Sequence, residues 1–287
     1  MYRGNSKDVL VNRNFRKLKT KVNLIFTSPP FPLNKKKAYG NLTGKNYSSW
    51  LASFADIFHY LLTPDGSLVI ELGNAWVKGS PTMSLLPLEA LLGLKKEGKF
   101  HLCQEFIWHN PSRLPSPIQW VNIERIRVKD SFSRFWWLSP SERPKADNRN
   151  VLKEYSESMK KLLVTQTYNS GRRPSEHIIG KESFLKNNKG AIPANVLIYP
   201  NTSSKDKYLD YCNENNIKHH PARMPNAIAE FFIKLLTSKG DLILDPFAGS
   251  NITGYVAEDL HRRWRSIERD AIYASSSRAR FPNSWLL

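Results

Sequence analysis

The chain has 287 residues, 40% of them hydrophobic, which is enough to bury a sizeable core in one large domain or a domain with an insertion. Lys and Arg number 43 against 25 Asp and Glu, and the resulting charge of +18 favours a polyanionic partner, nucleic acid first. No apolar run reaches 18 residues, "MYRGNSKDVLVNRNFRK" lacks the apolar core of an export signal, and the two cysteines (Cys103 and Cys212) lie far apart. A membrane span, a metal set and a disulfide framework are therefore not expected, and a reducing cytoplasm is.

Residues 22–27, "VNLIFT", read as a strand buried on both faces, and it stops at Thr27-Ser28-Pro29-Pro30-Phe31. A basic loop follows, with Lys35, Lys36 and Lys37. "SSWLASFADIFHYLL" (48–62) has apolar residues at helical spacing, with Ser48 or Ser49 as N-cap. Thr63-Pro64-Asp65-Gly66 predicts a turn, and "SLVIELG" (67–73) a second buried strand. A helix is expected over 84–98, with Pro87 in its first turn, and a strand over 100–110.

From Pro111 onward prolines and charges break the pattern, apart from a short strand in "DSFSRFWWLS" and a helix in "NVLKEYSESMKKLLV". Residues 112–217 read as an insertion rather than an independent core. Regularity then returns. "PNAIAEFFIKLLTSKG" is an amphipathic helix closed by Gly240, "DLILD" a buried strand, "PFAGSNITG" a loop and "YVAEDLHRR" a helix. "WRSIER" is a further strand and "AIYASSSRARF" a last helix. This alternation is that of a parallel α/β sheet.

The loop "LILDPFAGSNITG" puts Asp245, Gly249 and Gly254 between a strand and a helix, where open parallel sheets bind ligands. It is neither a phosphate P-loop nor a GxGxxG fingerprint. The next strand ends in Glu268, an acid able to accept from both hydroxyls of a ribose. The half-site therefore suits a nucleoside cofactor; a helix-packing glycine loop with a surface glutamate is the plainer alternative.

These residues carry a resemblance. "DPFAGSNITG" resembles the cofactor motif of S-adenosylmethionine-dependent DNA methyltransferases, and "TSPPF" their catalytic motif. "HPARMP" (220–225) is similar to the segment that holds the methionine part of the cofactor in that family. Catalytic motif first, variable region, cofactor motif last is the permuted order of the β class. The resemblance implies a Rossmann-like methyltransferase α/β fold, with a mostly parallel sheet in circularly permuted motif order and an inserted target-recognition region. Residues 1–111 would form the catalytic half, 112–217 the recognition insertion and 218–287 the cofactor half. It implies S-adenosyl-L-methionine as cofactor, held by Asn5, His220, Pro221, Arg223, Asp245, Phe247, Ala248, Gly249, Ser250, Asn251, Thr253 and Glu268. Asn5 stands where relatives often carry an aspartate that reads the adenine.

Taken alone, Pro29–Pro32 reads as a proline-rich turn or a PxxP ligand. With the downstream motifs it reads as a catalytic hook. An exocyclic amino group must be drawn towards tetrahedral geometry before it can attack a methyl group. The Ser28 hydroxyl and Pro29 carbonyl supply two acceptors for its N–H groups. Pro29 and Pro30 stiffen them, and Phe31 offers a flat face to a flipped base. Glu71 ends the next strand and either assists Ser28 or caps a helix. In this family serine at the first position goes with cytosine N4 more often than adenine N6, so an N4-specific enzyme acting on double-stranded DNA is expected. Adenine-N6 transfer, an RNA substrate and an inactive nucleic-acid-binding relative are the alternatives. Neither cysteine follows a proline, which disfavours C5 methylation. Lys35, Lys36, Lys37, Arg113, Arg134, Arg172 and Arg173 are candidate DNA contacts. A cognate restriction endonuclease is the further partner implied.

Overall fold

The computed structural model describes residues 1–31, 45–202 and 206–281. Among them, eight strands form the central sheet. They are β1 (Tyr2–Arg3), β2 (Val22–Thr27), β3 (Leu62–Leu72), β4 (His101–His109), β5 (Phe132–Ser139), β6 (Val196–Ile198), β7 (Leu242–Asp245) and β8 (Arg263–Glu268). Their spatial order is β1-β8-β7-β2-β3-β5-β4-β6. All neighbouring pairs are parallel except the two made by β5, which runs against both β3 and β4.

The strands are apolar on both faces because both are covered. Ile25, Leu68, Ile70, Leu244, Trp136 and Leu138 belong to one core cluster. It includes Tyr47 and Leu51 of helix α1 (Lys45–Ala52), Phe58 of α2 (Ala55–Leu61), and Ala90, Leu91 and Leu94 of α3 (Leu86–Glu97). On the opposite face Phe26 packs on Phe135 and on Phe232 of α4 (Asn226–Leu236), and Phe106 meets Phe232 edge-on.

Several expectations need correcting. Residues 112–217 are not one insertion: β5 and β6 lie inside the central sheet. The separate compact unit is the shorter stretch 147–194, and residues 1–146 with 195–287 make the other unit. The shorter unit holds a helix (Glu157–Thr165) capped by Ser156 and a ribbon of Gly171–Arg172 with Ile178–Ile179. The helix expected over 48–62 is two, the first beginning at Lys45, so Ser48 and Ser49 sit inside it rather than at its cap. The turn at 63–66 is a bulge within β3: Val22 pairs with Leu62, and Leu24 already with Ser67. Helix α4 ends at Leu236 with Thr237 as its cap, short of Gly240.

The decisive feature is the pairing of β2 with β7. Ile243 sits beside Leu24 and Leu244 beside Ile25, in parallel. From this pair the chain winds outward in both directions, β3 on one side and β8 on the other. Such a switch point leaves a crevice beyond the carboxyl ends of the two strands. Those ends are Ser28 and Pro246, so segments more than two hundred residues apart open onto one crevice.

Candidate active site

A cavity of about 510 Å³ occupies this crevice, within the usual range for small-molecule sites. Ser28, Pro29, Pro30, Phe31 and Glu71 line it from one side. Asp245, Phe247, Ala248, Gly249, Ser250, Thr253 and Glu268 line it from the other, with Asn5, His220 and Arg223. The two motif groups thus share one space.

The two halves are also bonded to each other. Asp245 is 5% exposed, and it receives the Thr27 hydroxyl (2.8 Å), the Thr253 hydroxyl (2.6 Å) and the Phe247 N–H (3.0 Å). Thr27 immediately precedes Ser28, so this one carboxyl ties the proline hook to the glycine loop. Burial pushes Asp245 up to about 6, against the pull of its three donors. Its oxygens face protein donors, so it positions the loop as well as lining the cavity.

Glu71 is 5% exposed at the end of β3. The hydroxyls of Ser28 and Ser133 donate to it. Burial raises its carboxyl above the ordinary range, opposed by those two bonds and by the charge of Arg113. Of the alternatives left open by the sequence, this geometry favours assistance to Ser28. Phe31 packs closely on Gly73: a Cβ at that glycine would come within 2.6 Å of two ring carbons. β3 therefore ends in glycine where the ring needs room.

Across the cavity, Gly249 adopts φ +53°, and a Cβ there would stand 3.1 Å from the His220 ring. That ring packs edge-on against Tyr273 at 4.7 Å. The Gly249 N–H donates to Glu268 (2.7 Å), and the Asp270 N–H to its other oxygen (2.8 Å). Burial raises Glu268 as well. Each Glu268 oxygen retains lone-pair capacity for a hydroxyl donor. Trp50, Phe54, Phe247 and Ile267 add apolar wall. Apolar walls for a flat ring, a carboxylate for ribose hydroxyls and a Cβ-free approach to the backbone together fit an adenosine-bearing cofactor.

Other expected residues fall elsewhere. Asn5 does line the cavity, but its side-chain oxygen accepts from the Lys7 N–H and caps the helix Ser6–Leu10. Asn251 is fully buried and Pro221 lies outside the cavity lining, so neither faces the cofactor space. Arg134 is held by Glu105 (3.0 Å) and Asn74 (2.7 Å), over the Phe132 ring. Arg172 pairs with Glu176 and Arg173 bonds the Asn169 carbonyl, both on the 147–194 unit. Lys35, Lys36 and Lys37 lie outside the described residues. Arg113, expected on a DNA-facing surface, lines the cavity instead, as does Trp108.

One supporting residue carries no motif signal. Arg280 is 4% exposed and donates to the Ser250 carbonyl (2.8 Å) while forking onto Asp206 (2.8 and 2.9 Å), between the Tyr208 and Tyr255 rings. It anchors the glycine loop from the far end of the chain. Among the described residues no group of His, Cys, Asp and Glu could hold a metal, and no helix is long and apolar enough to cross a membrane.

Comparison with known proteins agrees with this geometry. The DNA methylase family model matches residues 22–278. The type II methyltransferase M.PvuII of Proteus hauseri is 47% identical over 262 residues, covering 91% of this chain and 78% of the relative. M.HpaI of Haemophilus parainfluenzae is 24% identical over 272 residues, covering 92% and 69%. The solved structure of PvuII DNA methyltransferase (cytosine-N4-specific) superposes with a TM-score of 0.78 and 38% identity, over 100% of this chain and 87% of that one. The complex of M1.HpyAVI with SAM shares the fold, at 0.56 and 19% identity over 98% of both chains. Matched along nearly its whole length, and nearly half identical to a type II enzyme, the chain belongs to the DNA methylase family and is an S-adenosylmethionine-dependent DNA methyltransferase.

Proposed function

We propose that this methyltransferase acts on the N4 amino group of cytosine in double-stranded DNA, with Ser28, Pro29, Phe31 and Glu71 serving the target base. The observation that carries the reading is the shared cavity at the mouth of the β2–β7 crevice, which Ser28–Phe31 and Glu71 line across from the glycine loop. Because the Ser28 hydroxyl donates to Glu71, its lone pairs are left for an amino N–H. The Pro29 carbonyl is the second acceptor. Two fixed acceptors hold the amino group with its own lone pair turned towards the donor side, at little reorganisation cost. Cytosine N4 is further supported by the cytosine-N4-specific relative whose structure superposes at 0.78.

S-adenosylmethionine, when bound, supplies an electrophilic methyl group on a sulfonium sulfur. Glu268 would take its ribose hydroxyls, Trp50, Phe54 and Phe247 would wall its adenine, and His220 and Arg223 would flank its methionine end. The amino lone pair would form the new N–C bond as the methyl–sulfur bond breaks and leaves a neutral thioether, and one N–H proton must then leave. Ser28 and Glu71 are the pair on hand to accept it, provided Glu71 is ionised. The charge of +18 suits the phosphate backbone. The type II relative supports pairing with an endonuclease of the same specificity, in the cytoplasm where the DNA is.

The test is to incubate the chain with methyl-labelled cofactor and duplex DNA and digest to nucleosides. Label is expected in N4-methylcytosine. Label in N6-methyladenine instead would overturn the base assignment.

A further inference from the structure

Arg113 follows β4 in a loop fixed by two backbone-directed bonds: its N–H donates to the Asn110 carbonyl (3.2 Å) and Lys129 donates to its own carbonyl (3.2 Å). Its guanidinium donates to the Phe132 carbonyl (3.0 Å) and the Ser133 hydroxyl (3.4 Å). Ser133 is 1% exposed and its hydroxyl faces Glu71 as a hydrogen-bond donor, as does that of Ser28. The guanidinium thus stands one hydroxyl away from the carboxylate behind the hook, on the wall of the same cavity. It carries five donors, so those two bonds do not exhaust it.

A cation at this point suits an acceptor on the bound base. The two candidate bases differ there. Along its pairing edge, cytosine presents the N4 donor, then N3 and O2, both acceptors. Adenine presents the N6 donor, then N1, then a C–H. The hook meets the amino group of either base and treats the two alike. Only cytosine offers a second ring-edge acceptor beyond the first.

We infer that Arg113 is a specificity-determining residue that reads the O2 edge of the flipped cytosine and so excludes adenine from the hook. This rests on the reading that the cavity takes the target base. A site built to bond an acceptor rejects an analogue lacking it because its donor is left buried without a partner, and such rejection is larger than shape alone provides. A phosphate contact or a simple loop staple would give Arg113 no dependence on the base.

The experiment uses the full chain and a recognition duplex, its site first mapped with the wild-type enzyme. The target position carries either cytosine or a 2-aminopyridine linked to the sugar through its C5, which keeps the amino group and the adjacent ring nitrogen but lacks O2. For wild type, kcat/KM should fall roughly thirtyfold or more on the analogue. Arg113→Met should lose a similar factor on cytosine and treat the two bases within about threefold, the coupling expected of groups in contact. Its KM for S-adenosylmethionine should be unchanged. Wild type using the analogue as well as cytosine would overturn the inference, even if the variant failed to fold. So would Arg113→Met keeping the wild-type ratio. Failure of the parent reading shows separately, as wild-type enzyme leaving no label on cytosine N4.

Discussion

Replacing Gly73 by alanine tests the hook without touching a polar group. The new Cβ would stand 2.6 Å from two carbons of the Phe31 ring, against the 3.4 Å at which ordinary contact begins. The ring must therefore retreat by about 0.8 Å or swing away. Phe31 is only half-buried, so the displaced ring finds space and the fold should lose no more than about 1 kcal/mol. Catalysis is less forgiving, because a misplacement near 1 Å in a positioning group costs ~10²-fold, about 2.7 kcal/mol of barrier. Steady-state methyl transfer to duplex DNA should show kcat falling by roughly that factor, while calorimetry finds cofactor affinity within about twofold of wild type. Combining the change with Phe31→Leu relieves the collision and should recover part of the loss. Turnover within about threefold of wild type would refute the claim that Phe31 is held in place to meet the base.

Three further perturbations address the other parts of the site. Glu71→Gln should cut kcat and flatten the acid limb of the pH–rate profile. Burial raises this carboxyl, so wild-type activity should fall as pH drops through a value above the ordinary glutamate range, and an unchanged acid limb in the variant would contradict the role. Gly249→Ala combines a left-handed φ of +53° with a Cβ 3.1 Å from His220; a cost of about 1–2 kcal/mol should weaken S-adenosylmethionine binding roughly tenfold in calorimetry. Asp245 is raised to about 6 in the fold, so its folded form holds a proton that the unfolded chain releases near pH 4. Stability from this group is therefore present below about pH 4 and lost as pH climbs through 6, some 3 kcal/mol in all. Unfolding free energies from urea titrations of wild type and Asp245→Asn should diverge by that order across the window, and parallel pH dependences would show the carboxyl is not desolvated.

The strands were legible because burial on both faces makes them short apolar runs, and the motif order announced which two would end in function. What joined them was less visible. The Thr27–Asp245 bond depends on β2 and β7 being neighbours, a pairing that apolar content does not encode and that only the motif resemblance suggested. The supposed insertion misled because proline-rich turns at 111–117 and 140–144 flank a strand, β5, whose alternation is masked by three consecutive bulky residues, Phe135-Trp136-Trp137. Arg113 and Arg134 look alike in the sequence. One lies in the loop after β4 and lines the cavity, while the other is part of β5 and pairs with Glu105 on the neighbouring strand. Arg280 was invisible because its partners, Ser250 and Asp206, are distant in sequence and the arginine itself belongs to no motif.

The central claim about the molecule is that the flipped base enters the same cavity as the cofactor, against Phe31. Photocrosslinking with 5-iodocytosine at the mapped target position, in the presence of S-adenosylhomocysteine, measures this most directly. The adduct should map to the peptide containing Phe31 and disappear in Phe31→Ala, which still binds cofactor. An adduct confined to residues 147–194, or one unaffected by Phe31→Ala, would contradict it.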